Sequence, residues 1–323
     1  MTATTATRHR PVMRDRVVSL LAPALERPGA CYADLTLGLG GHAEAILEHC
    51  PTARLLGVDR DPAALALAAA RLAPYADRAE FVLARHDALP DLLAARGGAA
   101  VDAVLFDLGL SSLQIDDLQR GFAYAQDAPL DMRMSGPDSG LTAADIVNTY
   151  SPRDLARIFR DYGDERFADR IAAAIAAERQ TAPLTTSARL VEVIAAALPA
   201  AARHAGHGHP AKRVFQAVRI EVNAERAALA AALPAALAAL RTGGRIVVLS
   251  YHSGEDRLVK RALAAASRDQ APPGLVDVPP HLKARFRLLT AGAERPCAAE
   301  AAANPRSTSA RLRAAERVQE ETP

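Results

Sequence analysis

Short apolar runs alternate along the chain with longer segments that are rich in alanine and leucine. Four of these runs lie at residues 30–37, 54–61, 79–87 and 101–109, and a fifth follows at 243–253. Predicted strands that alternate with predicted helices are typical of a parallel sheet with helices on both faces. We therefore predict an α/β fold with a doubly wound, mostly parallel sheet.

The interval between the fourth and fifth predicted strands is far longer than one crossover helix requires, since it exceeds 130 residues. It contains a helical pattern that begins at Ser151 and Pro152, and this pair favours a helix start. We predict a small helical domain at residues 115–210, which recognises the substrate. It is inserted into a main domain formed by residues 1–114 and 211–323.

The overall composition argues against a membrane protein and against a general polyanion binder. The formal net charge is only +2, so any basic surface has to be local. Three widely spaced cysteines argue against a disulfide framework. The first residues lack the apolar region of a secretory signal. The longest uncharged stretch, residues 227–240, is shorter than the ~20 residues of a membrane span. We expect a soluble cytoplasmic protein that makes no membrane contact.

A glycine-rich stretch, DLTLGLGGHAEA at residues 34–45, follows the first predicted strand. It fits the loose dinucleotide pattern G-x-G-x-x-A, in which glycines allow a ligand to approach the backbone closely. Asp59 ends the second predicted strand, where an acid can accept hydrogen bonds from both hydroxyls of an adenosine ribose. This combination indicates an adenosine cofactor and leaves a nicotinamide dinucleotide and S-adenosylmethionine as alternatives.

Two further features favour methyl transfer over hydride transfer. Asp34 precedes the first glycine by four residues, where methyltransferases often keep an acid that organises the loop. The stretch DLGLSSLQ ends the fourth predicted strand, and ligands of open α/β sheets bind at the carboxyl ends of strands. No histidine or lysine is placed there for hydride transfer, so an NAD-dependent dehydrogenase is the less favoured alternative. The polar side chains expected to face this crevice are Asp107, Ser111, Ser112 and Gln114.

Eight motifs occur in order along nearly the whole chain: HRPVM (9–13), DLTLGLGGH (34–42), DLGLSSLQIDDLQRGFAY (107–124), PLDMRM (129–134), YGDERFADRIA (162–172), RVFQAVRIEVN (213–223), SYHSGEDRLVK (250–260) and NPRSTSARLR (304–313). With these motifs the chain resembles the ribosomal RNA small subunit methyltransferase H family. The resemblance implies a class I methyltransferase fold with S-adenosyl-L-methionine as cofactor. It also implies methylation of the exocyclic N4 amine of a cytosine in the decoding region of 16S rRNA, within the small ribosomal subunit or its precursor.

The resemblance also implies roles for individual residues. Asp59 would hold the ribose, Leu89 would lie beside the adenine, and Asp107 and Gln114 would complete the cofactor site. The glycine loop would line the cofactor with Gly40, Gly41 and His42, and capping of the following helix is the alternative role for His42. The chain departs from the family pattern at three positions, where Ala43 replaces Ser, Leu89 replaces Phe and Gly254 replaces Leu.

The exocyclic amine of cytosine is a poor nucleophile, because its lone pair is delocalised into the ring. An enzyme therefore has to accept the hydrogen bonds of the amine and hold it in line with the methyl group. Many amino-methyltransferases use a D/N/S-P-P-aromatic turn, whereas this chain has DLGL at 107–110. We predict Asp107, Ser111 and Ser112 as catalytic acceptors, with a buried structural role as the alternative for the serines. The aromatic candidates for stacking on the base are Phe122, Tyr124 and Tyr251.

Local basic clusters are the candidate contacts for RNA. They are Lys212 with Arg213 and Arg219, Arg257 with Lys260 and Arg261, and Arg306 with Arg311 and Arg313. The histidines at 204, 207 and 209 have no carboxylate or thiol nearby in the sequence, so we predict no metal site. A non-catalytic RNA-binding assembly factor that retains the cofactor fold is a further alternative, and no oligomeric state is predicted.

Overall fold

A computed structural model describes residues 11–137, 139–200, 209–272, 277–279 and 282–319. The chain divides into two compact units. The first unit combines Met1–Gly109 with Ala227–Pro323, and the second unit is Leu110–Arg226.

The first unit is built on a seven-stranded sheet. Its strands are β1 (Cys31–Asp34), β2 (Arg54–Asp59), β3 (Ala79–Leu83), β4 (Val101–Asp107), β5 (Leu240–Ser250), β6 (Phe286–Leu288) and β7 (Arg311–Arg317). The strand order is β3-β2-β1-β4-β5-β7-β6. The first five strands pair in parallel, whereas β7 is antiparallel to both β5 and β6. The prediction of a mostly parallel sheet is confirmed.

Both faces of this sheet are buried. Along β4, Ala103 and Leu105 join one apolar cluster, whereas Val104 and Phe106 join another. Because successive side chains of a strand point to opposite faces, this alternation indicates a doubly wound sheet, as predicted. The helices are α1 (Arg14–Leu21), α2 (Gly41–His49), α3 (Pro62–Arg71), α4 (Leu89–Ala94), α11 (Glu225–Ala239, which begins in the second unit), α12 (Ser253–Ala266) and α13 (Ala298–Ala303).

The second unit is helical and is inserted between β4 and β5. Its helices are α5 (Ser112–Asp116), α6 (Ala143–Thr149), α7 (Pro152–Gly163), α8 (Ala168–Glu178), α9 (Ser187–Ala197) and α10 (Lys212–Val222). Ser151 caps α7 as predicted, since its hydroxyl accepts a hydrogen bond from the N–H of Asp154 at 3.1 Å. The helical insertion is therefore confirmed.

The second unit extends beyond the predicted limits of 115 and 210. Helix α10 packs closely on α7, because a Cβ at Gly163 would lie only 2.5 Å from the main-chain oxygen of Arg213. Val214 and Phe215 of α10 are buried in the same apolar cluster as α7 and α8. This packing joins α10 to the insertion, a long-range contact that the local pattern did not reveal. Substrate recognition by this unit stays a prediction.

The helices are short relative to a bilayer. Helix α11 has 15 residues, with Pro234 inside it, and at 1.5 Å per residue this is about 22 Å, against roughly 30 Å of hydrocarbon core. Within the described residues, no helix combines the length and the apolar character that crossing a membrane requires.

Of the three histidines that were considered as metal ligands, His204 and His207 lie outside the described residues.

Candidate active site

Four polar side chains lie at the carboxyl ends of strands in the first unit. Asp34 ends β1, Asp59 ends β2, Asp107 ends β4, and Tyr251 directly follows β5. The direction in which the chain winds reverses between β1 and β4. Ligands of open α/β sheets bind at such a switch point, outside the carboxyl ends of the strands. These four side chains therefore mark the candidate active site.

The carboxylate of Asp59 holds the glycine loop between β1 and α2. Its Oδ2 accepts a hydrogen bond from the N–H of Gly38 at 2.7 Å, and its Oδ1 accepts one from the N–H of Asp61 at 2.9 Å. Burial raises the pKa of Asp59, and the main-chain donors act in the opposite direction. A carboxylate has about four lone-pair positions, so acceptor capacity remains for ribose hydroxyls. The sequence alone did not reveal that Asp59 anchors the loop, because no local pattern connects Asp59 with Gly38.

Backbone conformation and packing require the glycines of this loop. Gly40 precedes α2 with a φ of 74°, in the left-handed region that favours glycine. A Cβ at Gly41 would lie 2.6 Å from Cγ of Pro11, so a side chain there would require Pro11 to move. Gly38 has a φ of 52°, and a Cβ there would meet only the main-chain oxygen of Thr36, at the ordinary contact distance of 3.9 Å, so a ligand can approach its backbone. Cofactor contacts of Gly40 and Gly41 stay a prediction.

His42 is buried in the first turn of α2 with unsatisfied ring nitrogens. Its side chain is 6% exposed, and neither Nδ1 nor Nε2 has a hydrogen-bond partner. Nε2 lies 3.5 Å from Oδ2 of Asp107, close enough for charge attraction if the ring is protonated. A buried polar group without a partner is costly and calls for an explanation, such as a ligand that completes its hydrogen bonds. The ring does not cap α2.

Asp107 is held from two sides. Its Oδ1 accepts a hydrogen bond from the hydroxyl of Tyr251 at 2.7 Å, and its N–H donates to Oγ1 of Thr36 at 2.5 Å. Burial, followed by the negative charge of Asp107, raises the pKa of Tyr251 well above its ordinary value, so the hydroxyl stays a donor. The side chain of Asp107 is 27% exposed, which leaves it accessible to a ligand.

Asp34 is a buried carboxyl group at the junction of β1 and the glycine loop. It accepts a hydrogen bond from the hydroxyl of Tyr32 at 2.8 Å and one from the N–H of Thr36 at 3.3 Å. Burial raises its pKa from 3.8 to about 6, opposed chiefly by the nearby ring of His42. Asp34, His42 and Asp107 therefore form one electrostatically connected group, which sequence spacing alone did not bring together.

A family model described as the MraW methylase family matches residues 6–318. The chain belongs to the MraW methylase family. A relative named ribosomal RNA small subunit methyltransferase H, from Nocardioides sp. (strain ATCC BAA-499 / JS614), is 59% identical over 310 residues and covers 96% of this chain and 97% of its own. A relative of the same name from Acidothermus cellulolyticus is 59% identical over 312 residues, with coverage of 97% and 94%.

Among solved structures, an rRNA methylase from Streptococcus thermophilus matches with a TM-score of 0.43 and 11% identity over 95% of this chain and 94% of that chain. The family resemblance seen in the sequence is confirmed by the family match. Membership in a methylase family removes the dehydrogenase alternative. The observed strand order, with β7 antiparallel, agrees with the class I methyltransferase fold that the resemblance implied.

The family resemblance implied that Leu89, in the segment after β3, lies beside the adenine of the cofactor. Leu89 is fully buried at the start of α4, so its side chain presents no surface to a ligand in this structure. Asp87 pairs with Arg85 through two hydrogen bonds of 2.7 and 2.6 Å. His86, which no sequence motif indicated, lies edge-on to Phe106, and burial lowers its pKa to about 4. The adenine contact of Leu89 stays a prediction.

Ser111 and Gln114 belong to the second unit, where they cap α5 reciprocally. The hydroxyl of Ser111 accepts from the N–H of Gln114 at 3.2 Å, and Oε1 of Gln114 accepts from the N–H of Ser111 at 3.1 Å. The S-x-x-Q spacing is the local signal for this capping box. Ser112 begins α5, and its side chain lies outside the described part of the structure. The predicted catalytic and cofactor roles of these three residues stay predictions.

The aromatic candidates for stacking on a base differ in exposure. Phe122 is buried in the core of the second unit, with 7% exposure. Tyr124 is half-buried, and its ring centroid lies 4.7 Å from that of His209. Tyr251 is also half-buried, and its ring packs against Gly109, whose φ is 96°. Stacking by Tyr124 or Tyr251 stays a prediction.

Proposed function

We propose that this protein transfers a methyl group from S-adenosyl-L-methionine to the exocyclic N4 amine of a cytosine in the decoding region of 16S rRNA. One observation carries the proposal: residues 6–318 match a methylase family in which relatives at 59% identity are named ribosomal RNA small subunit methyltransferase H. We further propose that the substrate is the small ribosomal subunit or its precursor, in the cytoplasm.

The candidate active site fits S-adenosylmethionine, which supplies an electrophilic methyl group on a positively charged sulfur. The N-terminus of α2 offers main-chain N–H groups that attract a carboxylate, such as the one at the amino-acid end of the cofactor. The unsatisfied nitrogens of His42 lie in the same turn and would gain a partner. Asp59 would accept from the ribose hydroxyls, and Asp107 would provide a carboxylate for a cationic group.

We also propose that Asp107 accepts the proton of the reacting amine. When the amine nitrogen forms a new bond it becomes acidic, so a nearby acceptor has to take its proton. The carboxylate of Asp107 is accessible, and its Oδ1 is held by Tyr251 at 2.7 Å. A carboxylate that is already oriented needs little rearrangement as charge develops on the nitrogen. We keep Ser111 and Ser112 as further candidate acceptors and Gln114 as a cofactor contact.

Nucleoside analysis tests this proposal. Small ribosomal subunits from a strain that lacks this gene are incubated with the protein and S-adenosylmethionine, and the rRNA is digested and analysed by mass spectrometry against N4-methyl, C5-methyl and 2′-O-methyl cytidine standards. We expect N4-methylcytidine with the native protein and a large loss of it with Asp107→Asn. A methyl group on the ring carbon or the ribose would contradict the proposed target. Binding of the subunit without methyl transfer would support the assembly-factor alternative.

A further inference from the structure

Two of the three basic clusters supply side chains to ion pairs within the protein. Arg219 pairs with Glu225 at 2.9 Å. Asp256 accepts hydrogen bonds from Arg313 at 2.7 Å and from Arg311 at 3.3 Å. Because these charges are already neutralised by partners, they offer less attraction to an external anion. The cluster on α12 is different.

Helix α12 separates its charges by sign. Its two acidic residues, Glu255 and Asp256, are 3% and 9% exposed. The exposed residues of the helix are Arg257, Lys260, Arg261 and Ala265, so three of these four are cations. Within the described residues, none of these three cations has an ion-pair partner. The i, i+3, i+4 spacing places them on one side of the helix, and we call Arg257, Lys260 and Arg261 the α12 basic face.

The α12 basic face is carried by a helix that is fixed at its start. The ring of His252 caps α12, since its Nδ1 accepts from the N–H of Gly254 at 3.2 Å and from that of Glu255 at 3.4 Å. Asp256 ties the first turn to β7 through its ion pairs with Arg311 and Arg313. A rigid helix presents its cations in a constant arrangement, which reduces the ordering cost of binding.

The α12 basic face also lies close to the candidate active site in the first unit. Tyr251, which donates to Asp107, precedes the first residue of α12 by two positions. From Ser253, Arg257 is about 6 Å and Arg261 about 12 Å along the helix axis. Anions bound on this face are therefore within a few nucleotide lengths of the reacting carboxylate.

We propose that the α12 basic face binds phosphate groups of the RNA strand that carries the target base. That the bound polyanion is RNA rests on the proposed function. That this face attracts phosphate groups rests on the separation of acidic and basic side chains on α12. Neutralising phosphates with Arg or Lys releases condensed counterions, so each contact adds to the salt dependence of binding.

The salt dependence of binding tests this proposal. Binding of the full chain to a 16S rRNA transcript is measured by filter binding between about 50 and 200 mM salt. We expect Arg257→Gln, Lys260→Gln and Arg261→Gln each to lower the slope of log affinity against log salt by about 1, and the triple variant to lower it by about 3. The matched control is Arg54→Gln, which removes an exposed cation at the amino end of β2. The control should keep the native slope.

Calorimetry with S-adenosylhomocysteine shows whether each variant keeps its fold, and unchanged affinity is expected. An unchanged salt slope in the folded triple variant would overturn the proposal, as would an equal loss in Arg54→Gln. Binding to phosphatidylserine vesicles tests an anionic membrane as the alternative ligand. If the triple variant lost binding to these vesicles and kept native binding to RNA, the proposal would also be overturned. A lower salt slope in the triple variant would support the RNA contact even if the native protein formed a product other than N4-methylcytidine. That product would contradict the proposed function alone.

Discussion

Replacing Asp107 by Asn keeps the shape of the side chain and removes its charge. In the structure, Oδ1 accepts from Tyr251 at 2.7 Å, and Oδ2 lies 3.5 Å from Nε2 of His42. An amide can keep only one of these positions as an acceptor, because the other becomes an NH₂ donor. We expect the amide oxygen to keep the bond to Tyr251, so that the NH₂ group replaces the free carboxylate oxygen.

The two expected effects of this change differ in size. Hydrogen bonds to a charged partner contribute about 1.5–3 kcal/mol and neutral ones about 0.5–1.5 kcal/mol. The weaker bond to Tyr251 should therefore cost on the order of 1 kcal/mol of unfolding free energy, or roughly 1–3 °C in Tm for a chain of this length. If Asp107 accepts from the reacting amine, the rate should fall by about 100-fold or more, which corresponds to about 2.7 kcal/mol of activation free energy.

Single-turnover methylation of small subunits at saturating S-adenosylmethionine, together with thermal unfolding, separates these effects. The matched control is Asp102→Asn at the other end of β4. Asp102 is buried, accepts from the N–H of Cys31 at 2.7 Å and pairs with Arg27 and Arg241 at 3.0 Å. The control should lower Tm and leave the rate per folded molecule close to native.

Two results would refute the catalytic assignment. Full recovery of the Asp107→Asn rate at saturating cofactor would restrict the residue to cofactor binding. A native rate per folded molecule with a lowered Tm, as in the control, would make the residue structural.

Three further predictions concern the rest of the site. Asp59→Asn should weaken S-adenosylhomocysteine binding by about 10- to 100-fold in calorimetry, because it weakens the acceptor for ribose hydroxyls, a loss on the scale of about 1.5–3 kcal/mol, and loosens the anchor of Gly38; native affinity would place the ribose elsewhere. Asp34, with its pKa raised from 3.8 to about 6, contributes stability that is present below pH 4 and is lost as the pH rises through 6, on the order of 3 kcal/mol in all once both states are ionised. Asp34→Asn removes this linkage, so its unfolding free energy relative to native should rise by about 2 kcal/mol from pH 4 to pH 6 in urea titrations, and a constant difference would contradict the assignment. Replacing residues 117–224 by a short Gly-Ser linker, which retains Ser111, Ser112 and Gln114, should keep cofactor binding and abolish methylation, whereas a folded deletion variant that methylates rRNA normally would exclude substrate recognition by the second unit.

The sequence alone was sufficient for those features that depend on short spacing. Alternating apolar runs and helices predicted the doubly wound sheet, and the long interval after β4 predicted a helical insertion. Ser151 with Pro152 predicted the start of α7. Asp59 and Asp107 were placed at strand ends, where a parallel sheet gathers its ligand-binding groups. Each strand, helix start and strand end in this set is specified by residues a few positions apart, so the backbone geometry of one element determines it.

Tertiary structure decided which distant residues meet. Tyr251 reaches Asp107 because β5 lies beside β4. On the other side of β4 lies β1, and α2, which follows β1, brings His42 to the same carboxylate. Strand order and register determine these contacts, and neither is encoded in local spacing. Burial of Leu89 likewise depends on residues from several strands and helices around it, which is why its exposure could not be read from its own segment. The sequence therefore supplied the chemical groups at the ends of the strands, and the packing of the sheet determined their partners, their burial and the raised pKa of Asp34.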